Sequence, residues 1–338
     1  MNRGIGIYKR KKTVNSSLPN VIITFLICAA CWYIGYNYSI GFPVRSDTGT
    51  SLLWRTVCEL LSERNYMYIA GFSLLLLSAA LVQRLNFLHV ITQGKTTLPF
   101  LFFLLLNSIN PDFFPVRPIS VVFFLLLVAL LELFGAYQNP AATGRIFKVM
   151  FCLALMSLVW PYSLWFVPFF WVGMYQFRIL NVRTFAASLL GLFTVFWFVL
   201  GWCVWKQDFA VFVNLAQCVT DFQLFFVKES WSSNWPSLLP VFCLTLFMSI
   251  HISLRELESN QKSRHFLSFL LLIGFVSFLL SLLYISDFVD FICIFHLPVS
   301  LVAAHFFFDK YGFKSFLFYY LFVALLVILF FVRIWNIL

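Results

Sequence analysis

"LPFLFFLLLNSINPDFFPVRPISVVFFLLLVALLELFG", Leu98 to Gly135, holds two apolar runs around one short polar interruption. A helix needs about 20 apolar residues to cross the hydrocarbon core of a membrane. The runs near 98–109 and 119–134 approach that length, and the prolines of "NPDFFPVRP" stop both helices. The stretch reads as two spans joined by a tight loop, with Asp112 and Arg117 where lipid headgroups begin.

The rest of the chain has the same texture. Of 338 residues 62% are hydrophobic and 11% charged, and the mean hydropathy is +0.92. Soluble domains carry about 25% charge, so a soluble fold is excluded, and the 45 Phe and 11 Trp point the same way. The pattern predicts an all-α polytopic membrane protein with roughly eleven spans. They fall near 20–40, 67–82, 98–109, 119–134, 146–160, 162–177, 184–205, 235–253, 265–285, 289–308 and 315–334. The short ones are tilted or are re-entrant pieces buried in protein. The pair joined by "WPYS", Trp160 to Ser163, is the hardest to divide. Residues 1–19 read as a basic cytoplasmic tail and 20–338 as a single transmembrane domain. The basic "YKRKK" precedes an apolar run without a cleavage site, so the first span is a signal anchor.

Charge sets the orientation. With the N-terminus inside, sixteen of the 23 Lys and Arg residues lie on the inner side. Only Arg45, Arg55, Arg64, Arg117, Lys206, Lys228 and Arg333 lie outside. Acids divide the other way, with only Glu132, Glu256, Glu258 and Asp309 inside. This is the positive-inside pattern. The net charge of +10 is therefore a topology signature with affinity for anionic lipid, and nucleic acid is not an expected partner. In a bacterium the chain would sit in the inner membrane with its outer loops in the periplasm.

Two outer loops carry the candidate chemistry. The first, Gly41 to Tyr66, has Leu53, Val57, Leu60 and Leu61 on one helical face and Arg55, Glu59 and Glu63 on the other. That pattern predicts an interfacial helix on the outer leaflet. Asp47 precedes it, with Arg45 beside it. Asp47 serves either as a helix-entry residue or as a reactive carboxylate. The second loop carries Asp112, either in a solvated turn paired with an Arg or lining an outward-facing site.

Together the loops resemble the layout of GT-C-type glycosyltransferases, multi-spanning enzymes that take sugars from polyprenyl-phosphate carriers on the outer side of the membrane. That family places an acidic residue just after span one, ahead of membrane-parallel helices, and often a second between spans three and four. Asp47 and Asp112 match by position. The chain departs from the family in lacking an adjacent acidic pair in either loop. The resemblance implies Asp47 as the base that takes the acceptor's proton. Arg45, Arg55 or Arg117 would hold the phosphate bidentately, and Asp112 would bind a divalent metal, Mg or Mn. The segment "NPAATGRIFKVMFCLALMSLVWPYSLWFVPFFW", Asn139 to Trp171, also looks like a family of uncharacterised multi-spanning proteins common in Bacteroidota. That likeness implies the class and no activity.

Other residues carry less. No two of the five histidines stand at i, i+4, and His296 and His305 point to opposite sides of one helix. "CAAC", Cys28 to Cys31, has redox spacing but lies inside a span. Cys58 and Cys218 are both outside and could form a disulfide. Glu132 is an intramembrane acid near the inner end of its span, placed for a proton path or for snorkelling towards Arg145. A second interfacial helix is expected in the outer loop 206–234. Three function classes stand: a lipid-carrier glycosyltransferase, a transporter or flippase, and a non-catalytic scaffold bound to other membrane proteins. The first requires Asp47 and Asp112 to share one outer cavity; the second, broken helices at mid-membrane.

Overall fold

The computed structural model describes residues 18–38, 54, 57, 61, 63–92, 94, 96–220, 241–243, 245–249, 261–284, 287–308 and 313–337. Among them there is no β-strand, and eleven α-helices are delimited. These are α1 (Leu18–Tyr38), α2 (Arg64–His89), α3 (Leu98–Ser108), α4 (Pro118–Gly135), α5 (Thr143–Val159) and α6 (Phe166–Gln176). Then come α7 (Val182–Lys206), α8 (Ala210–Thr220), α9 (Gln261–Leu283), α10 (Phe288–Phe308) and α11 (Phe313–Ile337). Six of them, α1, α2, α4, α7, α9 and α10, are long and apolar enough to cross a membrane, the signature of a multi-pass membrane protein.

Ten of these helices stand where spans are expected, and six of them are long enough to cross. The helix α8 lies in the 206–234 loop, where an interfacial helix is expected; none of its residues is fully buried, and Asp208 accepts the Ala210 N–H at its start. Of the span expected at 235–253, only 241–243 and 245–249 are described, and they are helical. The "WPYS" break is real. Pro161 ends α5, and the 3-10 turn Pro161–Trp165 separates it from α6.

The helices run alternately up and down, so the loops predicted to be outer gather at one end. Arg64 donates to the Tyr36 carbonyl, the Val116 N–H to the Met67 carbonyl at 3.3 Å, and the Tyr284 hydroxyl to the Val219 carbonyl at 2.5 Å. The Trp160 ring lies 4.7 Å from Phe291. At the opposite end the Asn181 amide donates to the Pro140 carbonyl and the Ser263 hydroxyl to the Val90 carbonyl.

At the centre stands α10, packed against α9 and α3 and touching α4. Its most apolar 18-residue window is 94% buried, against 22% for α7. A helix buried all round must pair every polar side chain within the protein. The helix α3 is equally enclosed, with ten of its eleven residues buried. At about 1.5 Å per residue it is about 16 Å long, roughly half a hydrocarbon core of about 30 Å. Buried non-helical backbone extends it at both ends, which is tolerated where protein supplies the hydrogen bonds. Asn86, itself buried, accepts from the Thr92 N–H at 3.0 Å and the Thr92 hydroxyl at 2.9 Å. The helices α5 and α7 touch through Gly191, where an added Cβ would stand 2.6 Å from the Phe147 carbonyl oxygen.

Candidate functional site

The polar interruption that divides α3 from α4 is largely buried. Phe113, Phe114, Pro115 and Val116 are buried. The 3-10 turn Pro111–Phe113 packs against α1, α3, α10 and α11. Arg117 reaches across to Asp290, in the first turn of α10, with Nε 3.1 Å from Oδ1 and Nη2 donating to Oδ2 at 3.2 Å. Their side chains are 12% and 2% exposed, so the charges are held by each other and not by water. This partner of Arg117 comes from α10, 173 positions along the chain.

One turn deeper, Asn107 of α3 connects to the same helix. Its Nδ2 donates to the Phe103 carbonyl at 2.9 Å, which turns Oδ1 towards α10. There Oδ1 accepts from the Cys293 thiol at 3.3 Å and faces His296 Nδ1 at 3.2 Å. Because Oδ1 can only accept, His296 carries its proton on Nδ1, and Nε2 is left with a lone pair. Asp290, Cys293 and His296 are spaced by three residues, so they descend one side of α10. Two small cavities of about 30 Å³ each flank the cluster. One touches Trp32, Gly71, Ser78, Asn107, Ser120 and Cys293. The other touches Asn110, Val241, Ile292, His296, Leu326 and Leu329.

Aromatic side chains seal the neighbouring side of this end. The Tyr162 ring packs on Tyr284 at 4.6 Å and on Phe291 at 5.9 Å, and the Trp165 indole donates to the Tyr284 hydroxyl at 3.0 Å. The buried Trp160 Nε1 and Ser163 Oγ have no partner among the described residues.

The two expected outer loops meet. Trp54, 3% exposed, forms one apolar cluster with Met67 and Val116, and Val57 and Leu61 pack onto it. The Leu61 N–H donates to the Val57 carbonyl at 2.9 Å, the spacing of a helical turn. The apolar face predicted around Val57 and Leu61 therefore docks on the loop that carries Asp112.

Of the predicted site residues, Asp47, Arg45 and Arg55 lie outside the described residues, as does Cys58. The backbone of Asp112 is described, within the 3-10 turn, and its side chain is not. Cys218 is half-buried. Glu132 sits at the opposite end, where Lys148 approaches its Oε1 at 3.4 Å, with the two side chains 29% and 63% exposed. Lys148 takes the place expected for Arg145, whose guanidinium lies over Gly135. Cys28 and Cys31 are packed in the core. Among the described residues no group of three His, Cys, Asp or Glu side chains could hold a metal ion.

Sequence reasoning missed Asp290 and Asn107, and it set His296 aside when no i, i+4 histidine pair was found. The available signal was an acid inside the apolar run "FVDFICIFHL", Phe288 to Leu297, since an ionisable group within a span is a functional candidate by default. No protein-family model, curated protein or solved structure matches this chain.

Proposed function

We propose that the chain is a multi-pass inner-membrane glycosyltransferase that takes a sugar from a polyprenyl-phosphate carrier at the end bearing residues 109–118. In this reading the chain crosses the membrane eleven times with its N-terminus in the cytoplasm, and that end faces the periplasm. One observation carries it: the docking of Trp54, Val57 and Leu61 on Met67 and Val116. Asp47 precedes Trp54 by seven residues and Asp112 precedes Val116 by four. At no more than about 3.5 Å per residue, the contact keeps both acids within a restricted region. Asp47 is the base for the acceptor hydroxyl, and Arg45 and Arg55 hold the carrier phosphate. Arg117 already has an anion, so a phosphate reaching it must share it with Asp290. A divalent cation on Asp112 would neutralise leaving-group charge.

Gene deletion tests the reading, with complementation by wild type, Asp47→Asn and Asp112→Asn at equal membrane abundance. Surface glycans and lipid-linked sugars are then profiled by mass spectrometry. The expected result is a missing sugar that wild type alone restores. Unchanged glycans, or full rescue by both variants, would reject glycosyl transfer.

A transporter reading draws on a different observation, the ionisable Asp290 and His296 on the most buried helix. It predicts an accumulated unmodified substrate on one side of the membrane and no change in the linkage chemistry of the sugars.

A further inference from the structure

His296 holds an unused acceptor in an otherwise apolar cavity. Asn107 fixes Nδ1 as the donor, so Nε2 is the nitrogen left for an occupant. The ring is 4% exposed and lines the cavity between α3, α10, α11 and Val241. Leu106, Ile109, Ile292, Leu326 and Leu329 form most of the wall, with the Asn110 amide beside them. Among the described residues no Lys, Arg, Asp or Glu lines it.

We propose that this cavity binds the hydroxyl end of a neutral long-chain alcohol, with His296 Nε2 as hydrogen-bond acceptor. The volume, about 30 Å³, takes about two water-sized groups: a hydroxyl and its first carbon. Leu326 is buried and Leu329 only half-buried, so the cavity reaches the bundle surface along one face of α11, where a hydrocarbon chain can lie. The chemistry selects the class. A buried acceptor without a donor costs free energy that a hydroxyl recovers. A phosphate or carboxylate head would meet no cation among the described lining residues to offset its desolvation. An alkane tail alone would leave Nε2 unpaired. Polyprenols and diacylglycerols share this chemistry and occur at this depth in a membrane. The proposal does not depend on the glycosyl-transfer reading.

The test uses the full chain in nanodiscs and an isoprenoid alcohol carrying a photoreactive diazirine, beside its methyl ether, which has no hydroxyl to donate. The alcohol should crosslink peptides containing Ile292, Leu326 or Leu329. The ether should label them about tenfold less, the discrimination expected of one hydrogen bond to a buried acceptor. His296→Phe should lose the preference for alcohol over ether. Leu329→Trp, which fills the cavity and leaves the His296–Asn107 bond untouched, should abolish labelling in a protein whose elution profile is unchanged. Competition by unlabelled polyprenol or diacylglycerol then separates the two sources. Equal labelling by alcohol and ether, labelling confined to other helices, or an unaltered preference in His296→Phe would overturn the proposal.

Discussion

Arg117 and Asp290 stand 173 positions apart in sequence and meet through two nitrogen–oxygen contacts of 3.1 and 3.2 Å. The contact ties the loop between α3 and α4 to the first turn of the central helix. It also places a carboxylate at a helix N-terminus, where the backbone dipole favours negative charge. Removing one partner of a buried pair typically costs about 3–5 kcal/mol. Asp290→Asn and Arg117→Met should therefore each lower the melting temperature and the yield of monodisperse protein in detergent. The double variant Arg117→Met/Asp290→Leu should recover most of the loss, because no isolated charge remains. Additive losses in the double variant would show that the two do not act as a pair.

The helices were legible because a chain in hydrocarbon must satisfy its backbone internally, and this leaves long apolar runs in the sequence. The end at which loops gather was legible too, because the spans alternate in direction. The Arg117–Asp290 contact was not. Asp290 begins an apolar run and reads as its edge, while its partner is fixed by how α10 sits against α3 and α4. Asn107 was hidden for a similar reason: an amide ending an apolar run looks like a helix stop. Its hydrogen bonds to Phe103, Cys293 and His296 depend on the rotation of two buried helices about their axes.

The contact of α5 with α7 gives a packing prediction. An added Cβ at Gly191 meets the Phe147 carbonyl oxygen at 2.6 Å and the Met150 Cβ at 3.1 Å, and backbone cannot yield as a side-chain tip can. Gly191→Val should destabilise the protein by about 1–3 kcal/mol, the usual cost of overpacking. Gly201→Val, on the same helix with nothing within 4 Å of its added Cβ, is the control and should melt with wild type.

Glu132 and Lys148 should behave unlike the buried pair. With 29% and 63% of their side chains exposed, water and salt screen the attraction. Glu132→Gln should shift stability by less than about 1 kcal/mol. A functional loss at unchanged melting temperature would restore Glu132 to the proton-path role considered from the sequence.

Sidedness is testable with introduced cysteines in a background where the eight native ones are replaced. Gln207 ends α7 at the end bearing residues 109–118, and Asn139 lies in the turn after α4 at the other. Both residues are exposed. A membrane-impermeant maleimide should label Gln207→Cys in intact spheroplasts and Asn139→Cys only after permeabilisation. The reverse pattern would invert the orientation, and labelling of both in intact cells would contradict the alternation of the helices.

Trp54 gives the most direct test of the docked loops. Its indole is 3% exposed and shares a cluster with Met67 and Val116, and Val57 and Leu61 pack against them. Truncating a buried Trp typically costs about 3–5 kcal/mol. Here the loss falls on a loop whose release leaves the bundle intact, so Trp54→Ala should free the loop without unfolding the chain. Protease added to the outer face should cut within residues 41–63 faster in Trp54→Ala than in wild type, with the melting temperature little changed. If the glycosyl-transfer reading holds, the same variant should lose activity although it alters neither carboxylate, because Asp47 would no longer be held near Asp112. Faster cleavage with full activity would separate the two loops functionally and remove the observation on which that reading rests.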